Sequence, residues 1–444
     1  MRVAVVGVGH VGLVTAACLA RWGHEVVGMD DDERKVATLR SRGLPFHEPG
    51  LADLVEEGCR AGRLRFTGDI SEALSGADVA FVSVGTPSLA GGAPNLAFVE
   101  RVGQAAARHA DGDLVLVEKS TVPANTGIRL RQVIQREQAR HRNGARIDVA
   151  SNPEFLREGQ AVVDTLRPDR VVVGTDSERA AAALRAVYRP LLDEADCAYI
   201  ETDLVTAELI KHASNAYLAT RISFINAVAR ICELVGADVE VVAQGMGHDH
   251  RIGPHFLKAG MGYGGSCFPK DVDAFLHLAR SVGYDFGLLD EVRKVNHQMR
   301  ELVLDKLRAE LWHLEGKTVA VLGAAFKPGT DDLRQAPAIW LAEQLLEAGA
   351  TVRVYDPVAL AAVKEQLPQV ECVDDPLAAC RDAHAAVVCT EWHEIARLDA
   401  RRLAATLGYP IVVDGRNALD PAAMRAAGIQ YHAVGRPARA TDAP

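Results

Sequence analysis

The chain has 444 residues, 48% of them hydrophobic and 24% charged, with a formal net charge of −10. That length exceeds one ordinary core and predicts two or three domains of a globular, soluble kind. The acidic balance argues against nonspecific nucleic-acid binding, and no apolar run approaches the ~20 residues of a membrane-spanning helix.

The opening stretch MRVAVVGVGHVG enters a strand at once, with no charged-then-apolar leader or cleavage site, so the expected location is cytoplasmic. The strand runs into Gly7-x-Gly9-x-x-Gly12, then the alanine-rich helix LVTAACLARWG and a second strand, HEVVGMDDD. Gly7 permits the tight turn, Gly9 lets a pyrophosphate approach the backbone, and Gly12 allows close helix–strand packing. Asp30 closes the second strand, where a carboxylate accepts from ribose hydroxyls. With Asp31 and Asp32 beside it, it would repel a 2′-phosphate, so NAD is expected rather than NADP. Asp31 and Asp32 also fit a plain solvated turn.

ADVAFVSVGTP, DLVLVEKSTVP, RIDVASNPEF and DRVVVGT predict further strands, each ending in a turn or polar segment where parallel sheets collect ligands. Thr121, Glu154 and Glu158 fall at or just beyond these ends. From about residue 200 to 310 the pattern turns helical. DLVTAELIKHASNAYLATRISFINAVARICELVG predicts one very long helix, with Thr202 or Asp203 as N-cap and Gly236 as its stop. So long a helix needs more burial than one α/β domain on each side offers, which points to a homodimer interface along it. Lys211 and Asn215 on it are four apart and share a face, as a polar site or a solvated stripe.

His248, His250 and His255 in GHDHRIGPH read as loop or surface histidines, and no cysteine pair has ligand spacing, so no metal is expected. Most of the eight cysteines sit in apolar contexts and read as reduced core thiols. Cys267, in GYGGSCFPKD, is different. Pro269 suits the first turn of a helix that runs to Gly283. Cys267 then stands at a helix N-terminus, where a thiolate and an oxyanion are both favoured. Asp271 lies in the same first turn, and GYGG reads as backbone that lets a ligand approach closely. Local features leave nucleophile and structural thiol both open; a metal ligand is disfavoured. KTVAVLGAAFKPGT then opens a second βαβ unit, continued by ATVRVYDP, AAVVCTEW and PIVVDGRN. It has lost the glycine spacing and gained Lys327, with Arg416 a second cation, so a mononucleotide or sugar diphosphate fits it better than a dinucleotide. Each cation also reads as a surface charge. The tail GRPARATDAP is expected to be disordered.

Taken in order, VAVVGVGHVG, FVSVGTP, STVP, SNPEFLREGQAVVDTLRPDRVVVG, AELIKHASNAYLATRISFINAVA, RIG, GYGGSCFPKD, AAFKPGTDDLRQAP and DGRN resemble the UDP-glucose/GDP-mannose dehydrogenase family over nearly the whole chain. The resemblance implies an α/β chain of two Rossmann-like doubly wound domains joined by a central long-helix region. Its divisions would be an NAD-binding domain (1–200), a helical dimerisation region with the cysteine loop (201–312), a UDP-sugar domain (313–435) and the tail (436–444). It implies oxidation of a sugar C6 alcohol through the aldehyde to the carboxylate, reducing two NAD. A bare aldehyde cannot release hydride. The implied nucleophile Cys267 holds it as a thiohemiacetal, and the second oxidation gives a thioester that water hydrolyses.

By the same resemblance, Lys211 and Asn215 steady the oxyanions, and Asp271 helps hold the water and lysine network. Thr121 and Glu154 match positions of water and base function, with Glu154 the base for hydrolysis. The cofactor would meet Gly7, Gly9, Val11 and Gly12, then Asp30 and Lys35, and at its nicotinamide half Thr86, Ser120, Thr121, Glu158 and Arg334. The nucleotide sugar would meet Glu154, Phe155, Leu156 and Arg157, then Lys211 and Asn215. The loop bounded by Phe256 and Gly264 would add to these, with Lys327 and Arg416. Arg251 matches an arginine that reaches the ligand of a neighbouring subunit. One departure stands out: a Val-Gly-Thr segment usual after STVP is Ala124-Asn125-Thr126 here, and loss of that glycine bears on how Ser120 and Thr121 are held. GSCFPKD and REGQAVVDTLRPDR favour UDP-glucose as substrate and UDP-glucuronate as product. GDP-mannose or another nucleotide sugar is the alternative, and an inactive nucleotide-sugar-binding protein is the alternative of another class.

Overall fold

The computed structural model describes residues 1–89 and 91–436. The expected tail therefore lies, apart from Gly435 and Arg436, outside the described residues. The chain forms two compact units, Met1–Ser214 with Asp273–Tyr284, and Asn215–Val272 with Asp285–Pro444.

The first unit is built on eight strands: β1 (Arg2–Val6), β2 (Glu25–Met29), β3 (Leu64–Thr67), β4 (Val79–Val82), β5 (Leu114–Glu118), β6 (Ile147–Ser151), β7 (Arg170–Gly174) and β8 (Ala198–Thr202). Their order is β3-β2-β1-β4-β5-β6-β7-β8. β1 to β6 are parallel. The central strands β4 and β5 are buried at every position, which is why they read as unbroken Val, Leu and Ala runs rather than alternating ones. One face of the sheet packs on Leu13, Ala17 and Leu184, the other on Val102, Leu130 and Leu204. DRVVVGT corrects the expectation of one more ligand-facing strand end. β7 meets β6 antiparallel at Ser151 and Gly174, so the chain leaves it heading away from the carboxyl edge of β1–β6.

The second unit carries six parallel strands: β9 (Thr318–Leu322), β10 (Thr351–Tyr355), β11 (Glu371–Val373), β12 (Ala385–Val388), β13 (Ile411–Asp414) and β14 (Gln430–Ala433). Their order, β11-β10-β9-β12-β13-β14, repeats the crossover pattern of the first unit. Val303, Leu307 and Leu311 of the helix Gly287–Leu311 join this unit's core. Both units are doubly wound α/β sheets, as expected.

The long helix Leu204–Val235 begins in the first unit and ends in the second. Asp203 is its cap, its carboxylate accepting the Thr206 N–H at 2.9 Å, and Gly236 stops it at φ +77°. Among the described residues no helix is long and apolar enough to cross a membrane.

Near its start this helix meets the end of β5. Glu208 accepts the Gly127 N–H at 2.7 Å and lies against Glu118, the last residue of β5. No donor reaches either Glu118 oxygen. Burial, and then its neighbour, push the Glu118 carboxyl well above the usual carboxylate range; burial pushes Glu208 up to about 7. The pair thus holds a proton that supplies the missing donor. An unfolded chain releases that proton near the ordinary glutamate value, about 4.3, so the folded state binds more protons above that pH. The pair's contribution is full at lower pH and is lost as pH rises through about 7. Glu118→Gln, whose amide donates without titrating, should flatten the fall in stability between pH 5 and pH 8. It should leave the variant ahead of the wild type at pH 8 by ~1–2 kcal/mol, read from denaturant midpoints across that range.

Candidate active site

In the first unit, β1 passes through Gly7, at φ +92°, into the helix His10–Arg21. A Cβ on Gly7 would meet the Ser83 carbonyl at 2.7 Å, and one on Gly12 would meet the Gly7 carbonyl at 1.7 Å. Gly9 differs: nothing lies within 4 Å of where its Cβ would stand. Two glycines are therefore required by packing, and the third leaves open space at a helix N-terminus, the place a pyrophosphate needs. Asp30 is buried at the end of β2, accepts the Val8 N–H at 2.9 Å and pairs with Lys35 at 3.0 Å. Loop, acid and cation fit a dinucleotide.

The turns after β4 and β5 are tied together, Thr86 donating to the Thr121 carbonyl at 3.0 Å and Ser120 to the Val84 carbonyl at 2.7 Å. The long helix fastens the same turn, since His212 Nε2 meets the Val122 carbonyl at 2.9 Å. Asn125 supplies what the missing glycine would have supplied. It sits at φ +72°, a left-handed conformation that asparagine tolerates better than other non-glycine residues, and makes no capping bond with its side chain.

Beyond β6, Glu154 Oε1 and Lys211 Nζ form an ion pair at 2.9 Å with both side chains sealed from solvent. Glu154 also accepts the Leu156 N–H at 2.8 Å. The Phe155 ring carries the Arg170 guanidinium at 3.7 Å from its centre, with Lys211 Nζ at 5.4 Å. Glu158 is buried, whereas Arg157 turns to solvent and is clasped by Asp164 at 2.6 Å. A buried cluster that the sequence reading passed over lies next to this pair. Lys119 Nζ donates to Asn152 Oδ1 at 2.9 Å and to the Tyr188 hydroxyl at 3.3 Å. The available signal was two successive charges, Glu118 and Lys119, closing an otherwise apolar strand.

In the second unit, Cys267 directly precedes the helix Phe268–Ser281, and its carbonyl accepts the Asp271 N–H at 2.8 Å. It is half-buried, with Ser266 Oγ at 3.5 Å from its sulfur. By contrast, burial pushes the thiols of Cys18, Cys380 and Cys389 up to about 12, as inert core residues. Asp271 is buried and accepts from Asn215 Nδ2 at 2.6 Å and from Lys270 Nζ at 2.8 Å. GYGG corrects one expectation. A Cβ on Gly262 would strike Asn296, on Gly264 the Gln335 carbonyl, and on Gly265 the Phe326 ring. These glycines make room for the protein's own neighbours rather than for a ligand.

Phe256, at φ +61°, and Tyr263 both pack on Phe268. Arg416 donates to the carbonyls of Cys389 and Gly262 at 2.8 Å and of Phe326 at 3.4 Å, so it shapes the cysteine loop directly. Lys327 stands 5.5 Å from the Phe326 ring, and Arg334 is exposed and paired with Asp332 at 2.7 Å. Arg251 is exposed and paired with Asp249, on a loop that Arg221 holds by the Ile252 and Gly253 carbonyls. Asp356, at the end of β10, matches Asp30 in place. Its carboxylate is taken up by the N–H groups of Ala324, Ala325, Val358 and Ala359 and by Trp392 Nε1. That leaves no acceptor for a ribose, which is why this opening suits a dinucleotide poorly.

Three domain descriptions of the UDP-glucose/GDP-mannose dehydrogenase family match the chain: the NAD-binding domain at residues 1–192, the central domain at 205–298 and the UDP-binding domain at 320–421. The chain is 44% identical to the UDP-glucose 6-dehydrogenase TuaD of Bacillus subtilis, covering 98% of this chain and 94% of that one. It is also 44% identical to a UDP-glucose 6-dehydrogenase of Pseudomonas aeruginosa, covering 98% of each. The structure of a UDP-glucose dehydrogenase from the archaeon Pyrobaculum islandicum superposes with a TM-score of 0.90 at 38% identity, covering 98% of this chain and 97% of that one.

The turn at Asn125 offers a local check. Asn125→Ala should lower stability by ~1 kcal/mol through left-handed strain, while Asn125→Gly should stay within a few tenths. Equal losses in the two variants, measured by thermal melts, would contradict this account of the turn.

Proposed function

The chain belongs to the UDP-glucose/GDP-mannose dehydrogenase family, and from that premise we propose that it oxidises UDP-glucose to UDP-glucuronate with NAD. What carries the reading is full-length similarity to curated UDP-glucose 6-dehydrogenases together with Cys267 at a helix N-terminus. A simple two-electron dehydrogenase needs no such thiol, and an inactive binding protein has no use for a sealed Glu154–Lys211 ion pair.

NAD, when bound, supplies the acceptor for the hydride lost at each oxidation. Gly7, Gly9, Val11, Gly12, Asp30 and Lys35 would hold it, with Thr86, Ser120, Thr121, Glu158 and Arg334 toward the reacting end. In this proposal Cys267 adds to the aldehyde. The Lys211 ammonium, with the Asn215 amide one turn along the same helix, stabilises the oxyanion. Asp271, through its bond to Asn215, keeps that amide turned for the task. After the second oxidation Glu154 takes a proton from the attacking water, and the thioester is released as the carboxylate. Glu154, Phe155, Leu156, Arg157, Phe256, Lys327 and Arg416 are the proposed nucleotide-sugar contacts. A cytoplasmic location belongs to the same proposal, since NAD and nucleotide sugars are cytoplasmic metabolites.

We further infer a homodimer along the long helix. Tyr217, Phe224 and Ile231, seven residues apart and so on one face, are 62%, 52% and 58% exposed. Water is a poor neighbour for such a stripe, and a second copy would cover it. Arg251 would then serve the partner's site.

Purified protein given UDP-glucose and NAD should form two NADH per sugar, and Cys267→Ala should abolish formation of the acid. One NADH per sugar, or undiminished acid in the variant, would overturn the mechanism. Phe224→Arg combined with Ile231→Arg should halve the mass seen by light scattering. Mixed dimers of Arg251→Ala and Cys267→Ala subunits should regain activity that neither variant has alone.

A further inference from the structure

Lys119 has no part in the chemistry above, yet it is a buried lysine at the carboxyl end of β5. Each group that touches it is neutral. Its ammonium donates to Asn152 Oδ1 and to the Tyr188 hydroxyl, and that hydroxyl donates in turn to the same Asn152 oxygen at 2.5 Å. Asn152 Nδ2 is anchored on the Val172 carbonyl at 2.7 Å, and the Asn152 N–H on the Glu118 carbonyl at 2.8 Å. The network is complete, but it contains no counter-charge. Burying an unneutralised ammonium is expensive, and a methionine would fill the same volume without that expense.

The charges that sense Lys119 are Glu154 and Lys211, the buried ion pair itself. Burial brings the Lys119 ammonium down to about 8, against the pull of Glu154, with Lys211 adding to the fall. Tyr188, on the helix Glu178–Glu194, is the remaining titratable group against it, and burial raises its hydroxyl far from neutrality. Glu118, the preceding residue of the strand, lies against Glu208 instead.

We infer that Lys119 is a positioning residue for the reaction: it fixes Asn152, and so the short segment from Asn152 to Glu154, while its uncancelled positive charge biases the Glu154–Lys211 pair. This rests on the reading of Glu154 as base and Lys211 as oxyanion partner. The bias has a definite sign. A nearby cation favours the ionised carboxylate and disfavours the second ammonium. Three charges summing to plus one, out of reach of water, also suit a site where a negative oxygen must form.

The test is the pH profile of kcat/KM for Lys119→Met, Lys119→Arg and Asn152→Asp. Lys119→Met leaves Asn152 Oδ1 the Tyr188 donor, and should move both limbs of the profile to higher pH, by ~0.5–1 unit. Asn152→Asp keeps the lysine but neutralises it, and should move them the same way. Lys119→Arg should return them toward the wild type. A role in packing alone would lower the plateau and leave the limbs in place, and that result in both neutralising variants would overturn the inference. The underlying reading is checked separately by mass spectrometry of Glu154→Gln after incubation with UDP-glucose and NAD. A sugar-nucleotide adduct retained on Cys267 supports Glu154 as the hydrolytic base, and its absence would overturn that reading whatever Lys119 does.

Discussion

The structure depends on a stripe of four buried polar side chains on one apolar helix. Glu208, Lys211, His212 and Asn215 recur at the three- and four-residue spacing that stacks side chains along one face, and all are buried. Each would destabilise the fold if left without a partner. Each has one in a different place: the Gly127 N–H, Glu154, the Val122 carbonyl and Asp271. In the first unit the helix thereby fixes the turn after β5 and the segment after β6; in the second unit its residue Asn215 holds the first turn of the cysteine helix. The penalty of burying polar groups is what makes the placement specific, because slipping the helix by one residue would orphan all four.

The two α/β units show how little the fold alone decides. Both wind their strands in the same order and both end the second strand in an aspartate. Asp30 accepts two backbone N–H groups, of Val8 and Asp32, and the long side chain of Lys35. Asp356 is closed in by four backbone N–H groups and an indole. Binding of a dinucleotide turns on whether the acid is held partly by a side chain that can give way or wholly by fixed donors, and on whether the loop retains free space, not on the sheet.

Much of this was legible in the sequence, and the reasons differ by element. Buried parallel strands announce themselves as Val, Leu and Ala runs, and the long helix declared both ends through Asp203 and Gly236. Short or peripheral strands such as β3, β8 and β11 gave no comparable signal; β8 is largely exposed. The reversal of β7 was invisible because a buried run of valines looks the same in either direction. GYGG was misread for a related reason. A glycine that admits a ligand and a glycine that admits Phe326 have the same letter, and only the neighbour distinguishes them.

Lys119 and Glu118 escaped notice because charged residues at a strand end usually mean solvent. Here the strand continues inward, and alternation sends the two side chains to opposite faces of the sheet. Glu118 meets a second acid and keeps a proton; Lys119 meets only dipoles and keeps its charge. The contrast follows from what surrounds each group. A buried acid beside another acid relieves its burial by staying neutral, whereas a buried lysine with two oxygen acceptors and a carboxylate within electrostatic reach can remain an ion at neutral pH. Adjacent residues of one strand thus carry a stored proton and a stored charge. Glu118 lies against Glu208 of the long helix, and Lys119 lies within electrostatic reach of the Glu154–Lys211 pair that the same helix helps to form.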